Sequence, residues 1–453
     1  MNYADNFKHM QKGMDLAQAV AEADRCLLCH DAPCSTGCPA STEPAEFIRK
    51  LRFKNITGAI RTIKENNILG GACGVLCPTQ RLCEEKCSAR FASEGNPEGA
   101  DRPIQIGAIQ RFLVDHGSEI GFKAFERPEP RPEKIAVVGS GPAGLSCAAE
   151  LAKAGLSVTI FESRPEPGGV LRYGVVANRF DLDFLNRELE DILALGVDIQ
   201  CNSPVDSTNG AEKLLEDGYQ AVFLGPGLWD AATLKKDASA IDGVFSSVDY
   251  LSALRDGRFD EVVRQAEGKT VAVIGGGSVA MDCIESAVRI GAKDVYLIYR
   301  RSFCQMPAEP DERNESQESG VHFLLLNQPV DYVVGADNKI SGVKLVRTRL
   351  GDPDDSGRRS PENILDGEWT LPADLVVEAI ENKTPDDLAK SYPNVDIDSR
   401  GLIQADSETG RTSVPGIFAG GDIVRGPALV VNAVQDGKTA AKAIIAYVTN
   451  GEA

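Results

Sequence analysis

Histidine is scarce, with four in 453 residues. None stands in a recognisable nucleophile setting, which leaves Ser/His/Asp hydrolysis without support. Basic charge is also short: 48 Lys and Arg against 67 Asp and Glu leave a formal charge of −19. Nucleic acid and anionic membranes are therefore not expected as partners. A basic patch on another protein would suit such a surface, and so would plain solvation. No run approaches the roughly eighteen apolar residues that a membrane span needs. The opening stretch Met1 to Met10 has no apolar export core, so a cytoplasmic location is expected. Beyond residue 87 the chain has no cysteine pair. Cys147, Cys201, Cys283 and Cys304 stand alone, so the dithiol exchange of a thioredoxin or glutathione reductase is not expected. The first three read as packing residues, and Cys304 has no assigned role.

What the chain does have is a front-loaded set of thiols. Eight of its twelve cysteines fall at Cys26, Cys29, Cys34, Cys38, Cys73, Cys77, Cys83 and Cys87. Cys38 and Cys77 each precede a proline, as the last cysteine of a ferredoxin run does, although these gaps are not those of ferredoxins. Three readings compete: two iron–sulfur clusters, two zinc sites, or buried thiols. Zinc sites usually pair two CxxC units, and only Cys26 and Cys29 form one here.

A Pro-rich, charged stretch from Arg127 to Lys134 marks a boundary. Beyond it, Ile135–Val138 is a short apolar run that predicts a buried parallel strand. It leads into Gly139-Ser140-Gly141-Pro142-Ala143-Gly144 and a helix. Such a turn lets a pyrophosphate approach the backbone at the positive end of the helix. Glu162, at the end of the following strand, suits an adenosine ribose hydroxyl. A second unit repeats the plan at Thr270–Ile274, with Gly275, Gly276, Gly277, Ser278, Val279 and Ala280. Arg300 and Arg301 replace the acid at its second strand, which favours a 2′-phosphate and hence NADPH. Two dinucleotide folds in one chain imply one bound flavin and one exchanging nicotinamide. Asp422, after the glycine pair Gly420 and Gly421 at a late strand, is expected to close the flavin site. The polar stretch 351–363 reads as a hairpin tip.

The residues Arg25 to Pro39 (RCLLCHDAPCSTGCP) closely resemble the start of the flavin subunits of bacterial NAD-dependent dihydropyrimidine dehydrogenases. They are similar to the N-terminal half of the eukaryotic enzyme as well. The wider family includes the glutamate synthase small subunits. The likeness extends through both glycine units to Phe418–Val424. It implies FAD, NAD(P)H and two 4Fe-4S clusters. Carried over residue by residue, it implies Cys26, Cys29, Cys34 and Cys87 for one cluster. For the other it implies Cys38, Cys77, Cys83 and Gln110, with Cys73 left out. It implies flavin contacts at Leu76, Gly139 to Ala143, Glu162, Gly169, Val170, Arg179, Val205, Gly421, Asp422 and Val430. Nicotinamide contacts are implied at Gly276, Gly277, Ser278, Val279, Arg300 and Arg301. The chain departs from the family pattern at Glu381, where a glycine is usual, and a further phosphate-binding arginine has no match near Met306.

The expected fold class is α/β: a helical iron–sulfur N-terminal domain followed by two Rossmann-like dinucleotide-binding domains, the second inserted in the first. The expected bounds are 1–125 for the helical domain, 134–245 and 386–453 for the flavin domain, and 246–385 for the nicotinamide domain. The expected activity is an electron-input subunit. It oxidises NAD(P)H at FAD and feeds a catalytic partner subunit, FMN-containing in the pyrimidine branch, within a hetero-oligomer. A glutamate-synthase-type subunit feeding another acceptor is the alternative. A zinc-stabilised adaptor with a vestigial flavoprotein fold is a third reading, from another class.

Overall fold

The computed structural model describes residues 3–7, 12–91, 102–206, 210–354, 357–385 and 388–451. The chain divides into two compact units. The larger comprises Gln11–Arg172, Arg179–Leu228 and Thr384–Ala453, and the smaller comprises Trp229–Lys383 with Met1–Met10 and Tyr173–Asn178.

The larger unit opens with helices whose apolar positions recur at helical spacing. Phe47, Ile48 and Leu51 of the Pro44–Arg52 helix are buried, as are Ile60 and Ile63 of the Ile56–Asn66 helix. The helices Gly70–Leu76 and Ile106–Glu119 follow. Next comes a parallel sheet in the order Ile417–Ala419, Ala221–Leu224, Lys134–Val138, Ser157–Phe161, Asp198–Gln200. Its central strands are short, near-continuous apolar runs because helices cover both faces. The helix Pro142–Lys153 packs along one face, and the closing helix Val430–Asn450 lies against it. That contact is tight: a Cβ at Gly437 would come within 2.3 Å of the Ala143 carbonyl oxygen.

The smaller unit holds a second parallel sheet, ordered Val244–Ser246, Leu375–Ala379, Thr270–Gly275, Asp294–Tyr299, His322–Leu325. An antiparallel sheet of Asn327–Val334, Ile340–Pro353 and Arg359–Pro372 is part of the same unit. Two details differ from the sequence reading. Val244–Ser246 pairs with Leu375–Ala379 of the second parallel sheet, and the compact smaller unit takes in residues from Trp229, where the expected bound was 246. The expected boundary at 386 lies outside the described residues. The polar stretch 351–363 is mostly strand: Pro353 pairs with Arg359 and Leu350 with Pro361. Cross-strand hydrogen bonding satisfies these polar residues, so the turn is narrower than composition suggests. Among the described residues, no helix is long and apolar enough to cross a membrane.

Candidate functional site

The first candidate dinucleotide cradle, expected for the flavin, is built at the carboxyl ends of the first sheet. Gly139 leaves the Lys134–Val138 strand at φ 90°, and a Cβ there would lie 2.5 Å from the Gly225 carbonyl oxygen. Only glycine fits such a turn. Gly141 then caps the Pro142–Lys153 helix without any side-chain hydrogen bond. Its own Cβ position faces open space, with no atom within 4 Å. An uncapped helix start beside open space has orphan N–H groups and positive dipole ready for a pyrophosphate. Ser140 binds the cradle together. Its N–H donates to Glu162 at 2.9 Å, and its hydroxyl accepts from the Gly168 N–H at 2.9 Å. The other Glu162 oxygen accepts from the Arg164 N–H at 2.8 Å. The acid is thus held in place at the end of its strand. Gly169 approaches so closely that a Cβ would lie 2.6 Å from the Gly141 Cα. Val170, next to it, is exposed.

The tail of the chain completes this wall. A Cβ at Gly421 would stand 2.9 Å from the Ala143 Cβ, which puts Asp422 beside the helix start. The Gly421 N–H donates to Asp436 at 2.9 Å, and Arg425 pairs with the same carboxylate. Burial pushes the Asp422 carboxyl up to about 7, and the neighbouring Asp436 adds to this. The Val430–Asn450 helix also starts without a side-chain cap, so Val430 offers another unpaired helix start. Val205 packs against the core cluster that includes Val138 and Leu224. Leu76 is partly buried at the end of its helix, next to Cys77. Arg179 is partly buried. A cavity of about 240 Å³ lies at the opposite ends of these strands, lined by Arg127, Lys134, Ser157, Asp198 and Tyr219. It is remote from the Gly139 turn and takes no part in this cradle.

The thiols fall into two groups. Cys26, Cys29, Cys34 and Cys87 line one cavity together with Leu27, Leu28, Ile48, Ile104 and Ile106. Leu28 adopts φ 54°, a left-handed backbone that costs a non-glycine residue about 1–2 kcal/mol. That turn brings Cys26 and Cys29 to the same cavity. Burial raises the Cys26 thiol and pushes Cys34 up to about 12, with Cys87 close to both. Among the described residues no three His, Cys, Asp or Glu side chains close on a point that would hold one metal ion. The four thiols surround a space instead, and an all-thiol donor set in an apolar wall fits an iron–sulfur core.

The second group joins Cys38, Cys77 and Cys83 with Cys73. A hydrogen bond to Cys73, burial, and the nearness of Cys38 and Cys83 all raise the Cys77 thiol. Cys73 accepts from the Asn67 amide at 3.3 Å, and Cys38 from the Thr42 N–H at 3.4 Å. Gln110 is buried on the Ile106–Glu119 helix, where its amide donates to the Gly70 carbonyl at 2.5 Å. Cys73 thus hydrogen-bonds Cys77, while the Gln110 amide is engaged by the Gly70 carbonyl. Glu84 fixes the start of the Gln110 helix by accepting from the Gly107 N–H at 3.1 Å.

Sequence reading missed Glu188. This buried residue of the Leu182–Ala194 helix accepts from the Gly71 and Ala72 N–H groups at 2.6 and 3.1 Å. It anchors the helix that leads through Cys73 and Leu76 to Cys77. Burial pushes its carboxyl up to about 8, against the opposing pull of those amides and Lys64. A carboxyl raised in the folded state favours folding while it is protonated. Its contribution is lost as pH rises from the unfolded value of 4.5 through about 8. The Tm of the wild type is expected to fall relative to that of Glu188→Gln between about pH 5.5 and 8.5. A difference that stays constant across that range contradicts the assignment.

The second candidate cradle, expected for the nicotinamide, repeats the first plan with changed residues. Gly277 caps the Ser278–Ile290 helix without a side-chain bond and faces open space. Val279 is 39% exposed on its first turn, leaving the helix start accessible. In register, Tyr299 stands where Glu162 stands in the flavin unit, level with the first glycine. Its ring packs on Gly276, whose Cβ would lie 2.5 Å away, and its hydroxyl donates to the Gln305 carbonyl at 2.7 Å. The strand therefore offers no acid for a ribose. Glu381 is exposed just past the neighbouring strand. The two arginines part company: Arg300 is exposed, whereas Arg301 is buried and paired with Asp354 at 2.6 Å. Nothing in the sequence separates them, because Asp354 is distant in the chain.

These features define a class: an α/β protein with two dinucleotide cradles behind a thiol-rich helical module. The comparisons agree. A family described as dihydropyrimidine dehydrogenase domain II, 4Fe-4S cluster, matches residues 3–122, and the pyridine nucleotide-disulphide oxidoreductase family matches 133–437. The Escherichia coli glutamate synthase [NADPH] small chain is 36% identical, covering 94% of this chain and 91% of its own. The Salmonella typhimurium NAD-dependent dihydropyrimidine dehydrogenase subunit PreT is 34% identical, covering 98% and 97%. The Moorella thermoacetica NADP(+)-dependent formate dehydrogenase subunit beta is 38% identical, and the match spans 60% of that longer protein. The structure of Mycobacterium tuberculosis FprA in complex with NADPH superposes with a TM-score of 0.59 at 20% identity. That match covers 71% of this chain and 86% of FprA and supports the fold alone. The chain belongs to the pyridine nucleotide-disulphide oxidoreductase family. Within it, the chain is an iron–sulfur oxidoreductase that uses FAD and NAD(P)H, in the group that includes the glutamate synthase small chains and PreT.

Proposed function

We propose that the chain is an electron-input subunit that oxidises NAD(P)H and passes electrons through two 4Fe-4S clusters to a catalytic partner, in the first instance a dihydropyrimidine dehydrogenase. The observation that carries this reading is the joining of two open dinucleotide cradles to two separate thiol groups in one chain. Bound FAD would supply the exchange between a hydride pair and single electrons, which flavins allow.

The residues would divide the work. Gly139 to Ala143 with Gly169 and Val170 would seat the pyrophosphate, and Glu162 would hold the adenosine ribose. Asp422, Val430, Arg179, Val205 and Leu76 would orient the rest of the flavin. Gly276 to Val279 would take the nicotinamide dinucleotide, with Arg300 beside its ribose. Cys26, Cys29, Cys34 and Cys87 would hold one cluster, and Cys38, Cys77, Cys83 and Gln110 the other. Leu76 and Cys77 are adjacent, so flavin and second cluster would lie at neighbouring residues. Hydride transfer itself asks the protein for positioning rather than for acid or base. No pyrimidine site is proposed on this chain; the final reduction would fall to the partner, in a cytoplasmic hetero-oligomer.

The 36% identity to a glutamate synthase small chain over 94% of this chain supports the second reading, a partner that acts on glutamine and 2-oxoglutarate. The purified chain is expected to reduce ferricyanide with NAD(P)H and to leave uracil unchanged. Uracil turnover by the chain alone would sink the subunit reading. Addition of the native partner should then restore reduction of uracil, or of glutamine plus 2-oxoglutarate, and so choose between the two.

A further inference from the structure

The strand Asp294–Tyr299 ends where a dinucleotide fold reads the adenosine ribose, and an arginine there receives the 2′-phosphate of NADPH. Two arginines follow that strand, but only one is presented. The Arg301 side chain is 6% exposed. Its NH2 group donates to an Asp354 oxygen at 2.6 Å, and its Nε donates to the Arg359 carbonyl at 2.9 Å. Both partners come from the tip of the long hairpin Ile340–Pro353 and Arg359–Pro372. The hairpin is fixed at this place by more than the ion pair. The Thr348 hydroxyl donates to the Arg300 carbonyl at 2.8 Å, and the Thr348 N–H donates at 2.9 Å to the carbonyl of Leu326, whose own N–H donates to the Arg301 carbonyl at 3.1 Å. The Arg358 N–H donates back to Asp354 at 3.2 Å.

We propose that Asp354 withholds Arg301 from the 2′-phosphate of NADPH and thereby sets this cradle towards NADH. The proposal rests on the reading of the Gly275 unit as the nicotinamide site. A phosphate that sought Arg301 would have to displace a carboxylate already bonded to it. Were the carboxylate to stay, two like charges would sit side by side on one buried guanidinium and repel each other. NADH carries no such group and meets neither obstacle. Arg300 remains exposed and can contribute general attraction to either nucleotide. The hairpin thus acts as a selectivity element contributed from a distant part of the chain, and Asp354 is a positioning residue that acts through Arg301.

The test uses the full flavin-loaded chain and two probes, AMP and 2′-phospho-AMP, whose affinities are read by calorimetry. The wild type is expected to bind the two within about threefold of each other. Asp354→Asn keeps the shape and removes the charge. It is expected to tighten 2′-phospho-AMP by about tenfold or more while leaving AMP unchanged, the gain of one charge-assisted contact. Adding Arg301→Ala to that variant should abolish the gain. The kcat/KM ratio of NADPH to NADH should move with it. A wild type that already prefers 2′-phospho-AMP tenfold overturns the proposal, whether or not the variant folds. So does an unchanged ratio in Asp354→Asn, or a gain that survives Arg301→Ala. A wild type whose flavin is bleached by neither NADH nor NADPH, and which binds neither probe, instead overturns the nicotinamide reading itself.

Discussion

Gly141→Val is expected to give a folded chain that cannot hold flavin. A valine Cβ at this position would meet no protein atom within 4 Å, so the fold leaves room for a side chain to start here. Gly141 already has φ −72° and ψ 178° as the cap of its helix, a backbone that any residue adopts. The space it would fill is the space the pyrophosphate needs. Excluding the phosphates from the helix start forfeits charge-assisted contacts of about 1.5–3 kcal/mol each, so flavin affinity should fall by about 100-fold or more. The yellow colour should be lost on purification while Tm and circular dichroism of flavin-free samples match. Gly139→Ala is the contrasting control. Its Cβ would strike the Gly225 carbonyl oxygen at 2.5 Å, so this variant should lose the fold as well as the flavin. A Gly141→Val protein that keeps stoichiometric FAD would move the flavin site elsewhere.

The second large effect concerns iron. Cys73→Ala is expected to retain about eight irons per chain, as two 4Fe-4S clusters imply, and Gln110→Leu to lose or convert one cluster. The geometry makes this a demanding test, because Cys73 hydrogen-bonds Cys77 while Gln110 hydrogen-bonds the Gly70 carbonyl. Gln110 would have to exchange that carbonyl for iron, and Cys73 would have to release Cys77 once the latter ionises. A neutral amide oxygen in place of a thiolate leaves the cluster one charge less negative, which shifts its potential. Gln110→Cys should therefore keep the iron and move the potential. If Cys73→Ala loses four irons and Gln110→Leu keeps them all, the fourth ligand is the cysteine.

Local chemistry was legible in the sequence and partnership was not. The strand expected at Ile135–Val138 lies within Lys134–Val138, and the helix expected from Val430 begins there. Both follow from short-range signals: apolar runs, a glycine turn, and periodic burial. Ser140, Glu162 and Gly169 lie together in the structure, because a glycine turn and a strand-end acid carry their own geometry. The pair of Arg300 and Arg301 did not, since which of two adjacent arginines is presented depends on Asp354, brought back by a hairpin. The same holds for Glu188, whose bonds to Gly71 and Ala72 bridge distant segments. Residues 229–245 failed for the same reason: Val244–Ser246 is too short to declare its sheet without the partner strand Leu375–Ala379.

The nesting of the smaller unit in the larger also dictates an order of assembly during synthesis. The strands Lys134–Val138, Ser157–Phe161, Asp198–Gln200 and Ala221–Leu224 leave the ribosome before Trp229, but the edge strand Ile417–Ala419 and Asp422 emerge only after Lys383. Domains generally fold as units when their residues are available. The segment Trp229–Lys383 of the smaller unit is complete while the sheet of the larger unit still lacks an edge. The thiol module waits as well, since Lys438 of the last helix donates to the carbonyls of Ala40 and Asn66, each at 2.6 Å. A nascent chain therefore passes through a stage with one finished cradle, one open sheet and unprotected thiols. The Val430–Asn450 helix therefore ties a late segment of the chain to the helices that carry the thiols.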